Sequence, residues 1–391
     1  MPKQFDIFNH PFLGRGFRPF FFLGAAYSFI MIFIWGSVYA GLISPPSFLL
    51  DNSMLWHAHE MLYGYTIAII AGFLLTAVAN WTGSAPARQA HLFALCLIWI
   101  SGRIVVNFDM GLPNWLIYIV ACAFIPSIAI TLSIPLLKSW NKRNFVFLAI
   151  LSCLSALQIS FFILESKSAL YVAIMMVMIM ISLIGGRIIP AFTVAALRQR
   201  GEKLFQTPQP KLDVAALLSL IVTAICLVFA PQSIFLSAAA FISAIIHIIR
   251  LSRYHSLKAL IDPMLWILHA GFVWLIIGLG LLGLSGLGVL PVYLVIHAFT
   301  AGAIGSMTIG MIVRVALGHT GRSLIATKTT LIIFSLMQVM AVIRVFGPII
   351  LPDLSTYWII SSAGLWSICF ALYLVIYTPV LASARPDGRA A

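Results

Sequence analysis

Acidic side chains are nearly missing from this chain: it has 10 Asp and Glu in 391 residues, and charged residues of either sign make up 8%. A soluble domain carries about three times that share, so a water-facing globule is excluded. Rows of carboxylates, which would pass protons or couple ions across a membrane, are missing too. Glu60 and Asp109 are the two outer-side candidates near membrane depth. The five cysteines, Cys96, Cys122, Cys153, Cys226 and Cys369, stand alone inside apolar runs. With no C-x-x-C and no C-x-x-C-H, covalent haem attachment is excluded, and the cysteines read as small apolar packers. There is no H-E-x-x-H zinc motif. The net charge of +13 comes from single or tripled basic residues between apolar runs. Without a basic domain or an aromatic stacking module, nucleic acid is not a partner. The N-terminus does not read as a signal peptide, because its charges spread over 18 residues and the next run is too long for an h-region.

What the chain has instead is apolar length. It is 62% hydrophobic, with a mean hydropathy of +1.08. In lipid the backbone must satisfy itself, and long runs without period-2 alternation select helices over a barrel. About 20 residues are needed per crossing. Twelve segments meet that length: 19–42, 56–79, 88–107, 114–137, 145–164, 168–192, 212–230, 232–250, 262–284, 290–314, 325–346 and 355–380. The fold class expected is an all-α polytopic membrane protein with about twelve transmembrane helices in a lipid bilayer. A polar, Pro-containing connection, 197–211, is expected to be a cytoplasmic linker. It divides a single integral membrane domain into six-helix halves, 1–196 and 212–391. Lys and Arg fill alternate loops from Lys3 to Arg389, while the opposite loops hold only Lys167 and Arg344. By the positive-inside rule both termini are expected in the cytoplasm.

Against this background, ionisable groups at membrane depth are costly and point to function. The stretch "LWHAHEMLYGY" (55–65) puts His57, His59 and Glu60 at the outer mouth of the second segment. His57 and His59 are about 200° apart on a regular helix. They suit two neighbouring centres, one on each flank, and a frayed first turn would let both reach one metal. Glu60 follows His57, and Tyr63 follows His59, by about one turn. The plainer alternative is an interfacial belt with Trp56. His297 lies about 10 Å inside the outer face and His269 about 10 Å inside the inner one, at 1.5 Å rise per residue. Both are metal or haem ligand candidates, with interhelical hydrogen bonding as the rival. His319 sits in a loop about 33 Å from His297 on a continuous helix, so the two cannot share a metal. A structural or propionate-side role suits His319 as well as ligation does. His10, His91, His247 and His255 read as solvated or snorkelling.

Three arginines, Arg103, Arg187 and Arg314, lie within apolar runs. A guanidinium beside haem can hold a propionate bidentately. The alternative for each is a snorkelling or helix-end arginine. Gly302, Gly305, Ser306 and Gly310 allow either close helix packing, the commoner reading, or room for a flat macrocycle beside His297. The Met run 175–180 reads as adaptable packing, with a copper relay as the lesser reading.

Four stretches, "HPFLGRGFRPFFFLG", "WHAHEMLYGYTIAIIAGFLLTAVANWTG", "GGRIIPAFT" and "HAFTAGAIGSMTIGMIVRVALGHTGR", resemble the NnrS family of bacterial membrane proteins. The resemblance implies a multispan inner-membrane protein with non-covalent haem b, possible copper, and a part in tolerance of nitric oxide and nitrosative stress. His57, His59, His297 and His319 are then the motif ligands, and His269 is added from its depth. Glu60 or Tyr63 would tune or protonate a bound ligand. The partners implied are nitric oxide or another small diatomic and an electron donor. An NO-handling oxidoreductase is one form of this reading. A looser likeness to haem–copper oxidases rests on twelve helices and histidines on the second and tenth. Its oxygen chemistry does not carry over, since the tenth segment has no His-x-His. Two rivals from other classes are a transporter of copper, haem or a small anion, and a haem-binding sensor or assembly factor without turnover.

Overall fold

The computed structural model describes residues 7–44 and 52–388. Lys3 and Arg389, which belong to the loop-charge pattern, lie outside the described residues. The chain is an all-α polytopic membrane protein with no strand among those residues. Its twelve candidate spans are α1 Phe17–Tyr39, α2 Ser53–Thr82, α3 Gln89–Asn107, α4 Asn114–Lys138, α5 Lys142–Leu164, α6 Lys167–Gln199, α7 Pro210–Phe229, α8 Ile234–Ser252, α9 Pro263–Gly286, α10 Val292–His319, α11 Lys328–Ile350 and α12 Pro352–Ala382. Each matches an expected segment. The largest differences are at α6 and α10, which run on past 192 and 314.

Local sequence explains where several helices start and stop. Asn52 caps α2 by accepting from the backbone N–H of Met54 at 2.9 Å, and Asp262 does the same for Met264 at the start of α9, where Pro263 opens the helix. Gly83, in the left-handed region at φ 64°, ends α2. Within α4 the helix breaks at Ala123. Pro126 supplies the cause, because its ring clashes with the carbonyl four residues back and it has no N–H to offer there.

The chain forms two compact units. Unit 1 is Met1–Leu170, Ile312–Leu324 and Phe370–Ala391; unit 2 is Tyr171–Met311 and Ile325–Cys369. In unit 1, α1 and α4 pack on α2, and α3 and α5 pack on α4. In unit 2, α8 packs between α7 and α9, and α10 lies against α9 and α11. The spans differ in how much they hide. The most apolar window of α2 is 83% buried and that of α7 is 28% buried, so α2 is an inner helix and α7 turns most of its surface to lipid. Phe33, Ile130, Ile134, Ile163, Phe229 and Val375 are exposed, and lipid is the solvent that accepts them.

Candidate functional site

The strongest concentration of buried polar groups lies in unit 1, at the start of α2. After His59 the helix widens into a π turn over Glu60–Thr66. A π turn leaves carbonyls without their usual helical partners. Here the Thr66 hydroxyl donates to the Met61 carbonyl at 2.8 Å, and Trp99 Nε1 on α3 donates to the Gly64 carbonyl at 3.1 Å. Gly64 is required at its position, since a Cβ there would sit 2.4 Å from Cε1 of Tyr27 on α1.

His57 and His59 diverge, as their spacing predicts. The His57 ring stacks on Trp35 of α1, with centroids 4.4 Å apart. His59 turns the other way and is fully buried. Its ring lies 5.2 Å from Phe161, 4.9 Å from Phe162 and 5.0 Å from Tyr63. His59 Nδ1 donates to Glu60 Oε1 at 2.6 Å. On its other edge the Gln158 amide of α5 donates to His59 Nε2 at 3.3 Å, and to the Ala121 carbonyl at 3.3 Å. That carbonyl lies at the break in α4.

Glu60 is the hub. It is fully buried, and donors surround it. Arg103 Nη1 donates to Oε1 at 2.7 Å and to Oε2 at 2.8 Å. Asn107 Nδ2 reaches Oε2 at 3.1 Å, and the Tyr27 hydroxyl donates to the same oxygen. Asn107 in turn accepts from Trp56 Nε1 at 2.8 Å. Arg103 reaches this place because Gly102 lets α3 lie on the α4 backbone, where a Cβ would be 3.3 Å from the Val120 carbonyl. Two buried groups beside this network have no hydrogen-bond partner, the Tyr63 hydroxyl and Arg103 Nε.

His319 also belongs to unit 1 but not to this cluster. It packs on Phe17 at 5.7 Å, while His57 packs on Trp35. Phe17 and Trp35 are 18 residues apart on α1, about 27 Å at helical rise. Arg314 is half-buried near the end of α10.

Unit 2 holds His269, His297 and Arg187. His297 Nδ1 donates to the Tyr293 carbonyl at 3.0 Å, and Arg344 Nη2 donates to His297 Nε2 at 2.8 Å. A second π turn, Ala298–Ile304, follows at once. On α9, His269 has the opposite arrangement. Thr193 Oγ1 donates to the Ile189 carbonyl at 2.8 Å, so it accepts from His269 Nε2 at 2.9 Å. Ser256 meets Nδ1 at 2.9 Å. The close pairs Gly271–Met307, Gly278–Phe299 and Gly302–Trp274 set the register of α9 on α10. They place His297 about 11 residues, or about 16 Å, along the axis from His269. The two do not form one centre. The α10 glycines are filled by protein: a Cβ on Gly302 would meet the Trp274 ring at 2.6 Å, and one on Gly305 would meet Trp366 at 2.9 Å. Of the two readings given for them, close packing is the one realised.

The sequence reading missed a second buried network. His247, read as solvated, is fully buried, and Arg250 is almost so. His247 lies on the inner flank of α8 between Ser243 and Ser182, and small residues on that flank let α8 sink into unit 2. Arg250 Nη2 pairs with Asp213 at 2.7 Å, and its Nη1 donates to Ser182 Oγ at 2.8 Å, which bonds His247 Nε2 at 2.9 Å. Gly186 makes room, since a Cβ there would be 2.0 Å from Arg250 Nη2. The available signal was the i, i+3 pairing of His247 and Arg250 in an otherwise apolar helix. Arg187, next to Gly186, is half-buried.

The donors bear on which prosthetic group the chain can hold. Among the described residues no three His, Cys, Asp or Glu converge to hold a metal ion. Haem asks less, because the macrocycle supplies four of its own ligands and the protein supplies an imidazole. Ligating imidazoles typically give Nδ1–H to a carboxylate or carbonyl and present Nε2. His59 and His297 have that form and His269 does not.

A family model described as NnrS protein matches residues 11–385, nearly the whole chain. No curated protein matches it. With twelve spans, an all-α fold and this match in hand, the chain belongs to the NnrS family.

Proposed function

We propose that this chain is a non-covalent haem protein of the bacterial inner membrane that binds or converts nitric oxide under nitrosative stress. Cytoplasmic termini are part of the proposal. The observation that carries it is His59: a buried imidazole in an aromatic cage, with Nδ1 held by the Glu60 carboxylate and Nε2 facing only the neutral amide of Gln158. His59 is the residue assigned to hold the group, and His297 is the corresponding imidazole of unit 2. Haem, when bound, supplies an iron that takes an uncharged diatomic, and apolar surroundings favour such a ligand over water.

The remaining roles fall to the chain's own side chains. Glu60 fixes the tautomer and ring plane of His59. It does not serve as a proton donor, because every contact around it comes from a donor. Tyr63 retains a buried hydroxyl proton with no partner, and it is the group assigned to donate a hydrogen bond to a bound ligand. The Phe161 and Phe162 rings exclude water from the His59 edge. The test is the reduced-minus-oxidised spectrum of protein purified in mild detergent. Wild type is expected to show b-type bands, His59→Ala to lose or shift them, and Tyr63→Phe to keep them with altered NO binding. A correctly inserted wild type without haem would end the proposal.

A further inference from the structure

At the opposite end of α1 from His57, four guanidiniums of unit 1 gather around one turn of chain. Arg18 is fully buried, and its Nη1 donates to the carbonyls of Leu381 at 2.6 Å and Ser383 at 2.7 Å. Arg322 Nη2 donates to the Ser383 hydroxyl at 2.9 Å. Arg385 Nη1 donates to the His319 carbonyl at 2.8 Å. Arg15 stands beside them, and Gly16 sets its place, since a Cβ there would be 2.5 Å from Leu75 of α2.

Helix-end capping accounts for Arg18 Nη1. It leaves Nε and Nη2 of Arg18, and Nε of Arg15, buried without a hydrogen-bond partner; the Phe17 ring, 5.7 Å from the Arg18 guanidinium carbon, offers Arg18 its π face but no acceptor atom. The charges that Arg18 feels are Arg322, Arg385 and Arg15, all of one sign. Burial, and next the charge of Arg385, push the Arg15 guanidinium below its ordinary range. The one carboxylate paired with any of the four, among the described residues, is Asp387, which holds Arg385 at 2.6 Å from the exposed tail. Positive-inside topology explains basic residues in a loop. It does not explain four of them close enough to feel one another's charge, with buried N–H groups of Arg15 and Arg18 lacking acceptors, which is costly without a counter-ion.

We propose that Arg15, Arg18, Arg322 and Arg385 form a binding site for a phosphate-class oxyanion, with the Asp387 carboxylate covering Arg385 when the anion is away. Guanidinium forks match the tetrahedral oxygens of phosphate, and the shared chemistry admits either a free phosphate or the phosphodiester of a lipid headgroup. The site stands apart from the His59 cluster by the length of α1, and it does not rest on the haem proposal.

The test uses full-length protein in detergent and in nanodiscs. Inorganic phosphate is titrated by calorimetry, and retained phosphatidylglycerol is counted by native mass spectrometry. Arg322→Gln and Arg385→Gln, on the rim, avoid the folding risk of altering Arg18. Exposed Arg253 supplies the control Arg253→Gln. Each rim variant is expected to weaken binding about tenfold, the scale of one charge-assisted contact, with the control unchanged. Phosphate binding lost in the rim variants identifies a free anion. Retained lipid lost in those variants, with no phosphate binding, identifies a headgroup. Neither ligand bound, equal losses in the control, or loss of haem alone from the rim variants would overturn the site.

Discussion

The Glu60–Arg103 pair gives the sharpest energetic expectation. Glu60 is fully buried and the Arg103 side chain is 7% exposed, so neither charge can fall back on solvent if its partner is removed. Breaking a buried pair by one substitution costs about 3–5 kcal/mol, whereas replacing both partners by groups without charge costs much less. Glu60→Gln keeps the shape but places an NH2 where an acceptor stood. Oε1 accepts from His59 and Arg103, and Oε2 from Arg103, Asn107 and Tyr27. Whichever way the amide turns, one set of donors faces another donor. Arg103→Met leaves the carboxylate with its neutral donors but no counter-charge. Each single variant is therefore expected to lose about 3–5 kcal/mol, and the double variant to lose less than the sum by at least about 2 kcal/mol. Reversible unfolding in mixed micelles, followed by tryptophan fluorescence, measures all four corners of the cycle. A Glu60→Gln protein within about 0.5 kcal/mol of wild type would refute the reasoning, as would strictly additive losses, because contacts this close must couple.

Three further outcomes follow from the packing. Gly64→Ala drives a Cβ to 2.4 Å from the Tyr27 ring; it is expected to cost about 1–3 kcal/mol in the same unfolding assay and to loosen the Tyr27–Glu60 contact. Gly186→Ala collides with Arg250 Nη2 and is expected to destabilise unit 2 by a similar amount of about 1–3 kcal/mol, with faster amide exchange in α8; unchanged exchange there would contradict the network. His269→Asn is expected to leave any haem spectrum as in wild type, because the Nε2–H of His269 is given to Thr193. A lost band would make His269 a ligand.

Much of the fold was legible because lipid leaves the chain few options. Apolar runs of the right length with few charges can only be spans, and all twelve are present. The divergence of His57 and His59 was legible too, since about 100° per residue fixes it before any tertiary contact exists. The partners of Glu60 and His59 were not. Tyr27, Arg103, Asn107 and Gln158 come from three other helices, and nothing local in α1, α3 or α5 announces which of their polar side chains meet. His247 was misread for a related reason. A polar residue five positions from the end of an apolar helix looks able to snorkel, and beside the spacing of His247 and Arg250 the small residues around it, Ala240, Ser243 and Ala244, hint that this flank of α8 is the buried one. The π turns had no signature in composition or period.

Those π turns bear on why two helices treat their histidines alike. In α2 and in α10 the wide turn begins within three residues of a candidate ligand. In a regular helix a histidine gives Nδ1–H to the carbonyl four residues back only by folding against its own turn, as His297 does with Tyr293. His59 instead uses the residue beside it, Glu60, and the widened turn lets that carboxylate stay level with the imidazole while still accepting from α1 and α3. The two routes end in the same chemical state: Nδ1 satisfied by an acceptor and Nε2 offered to a donor. At His59 the donor is a neutral amide at 3.3 Å, and at His297 it is a guanidinium at 2.8 Å. The guanidinium is the tighter contact, because it is closer to the ring and its hydrogen bond is charge-assisted. A ligand seeking an imidazole has a weaker contact to displace at His59 than at His297, and for that reason the haem proposal assigns its first binding event to His59.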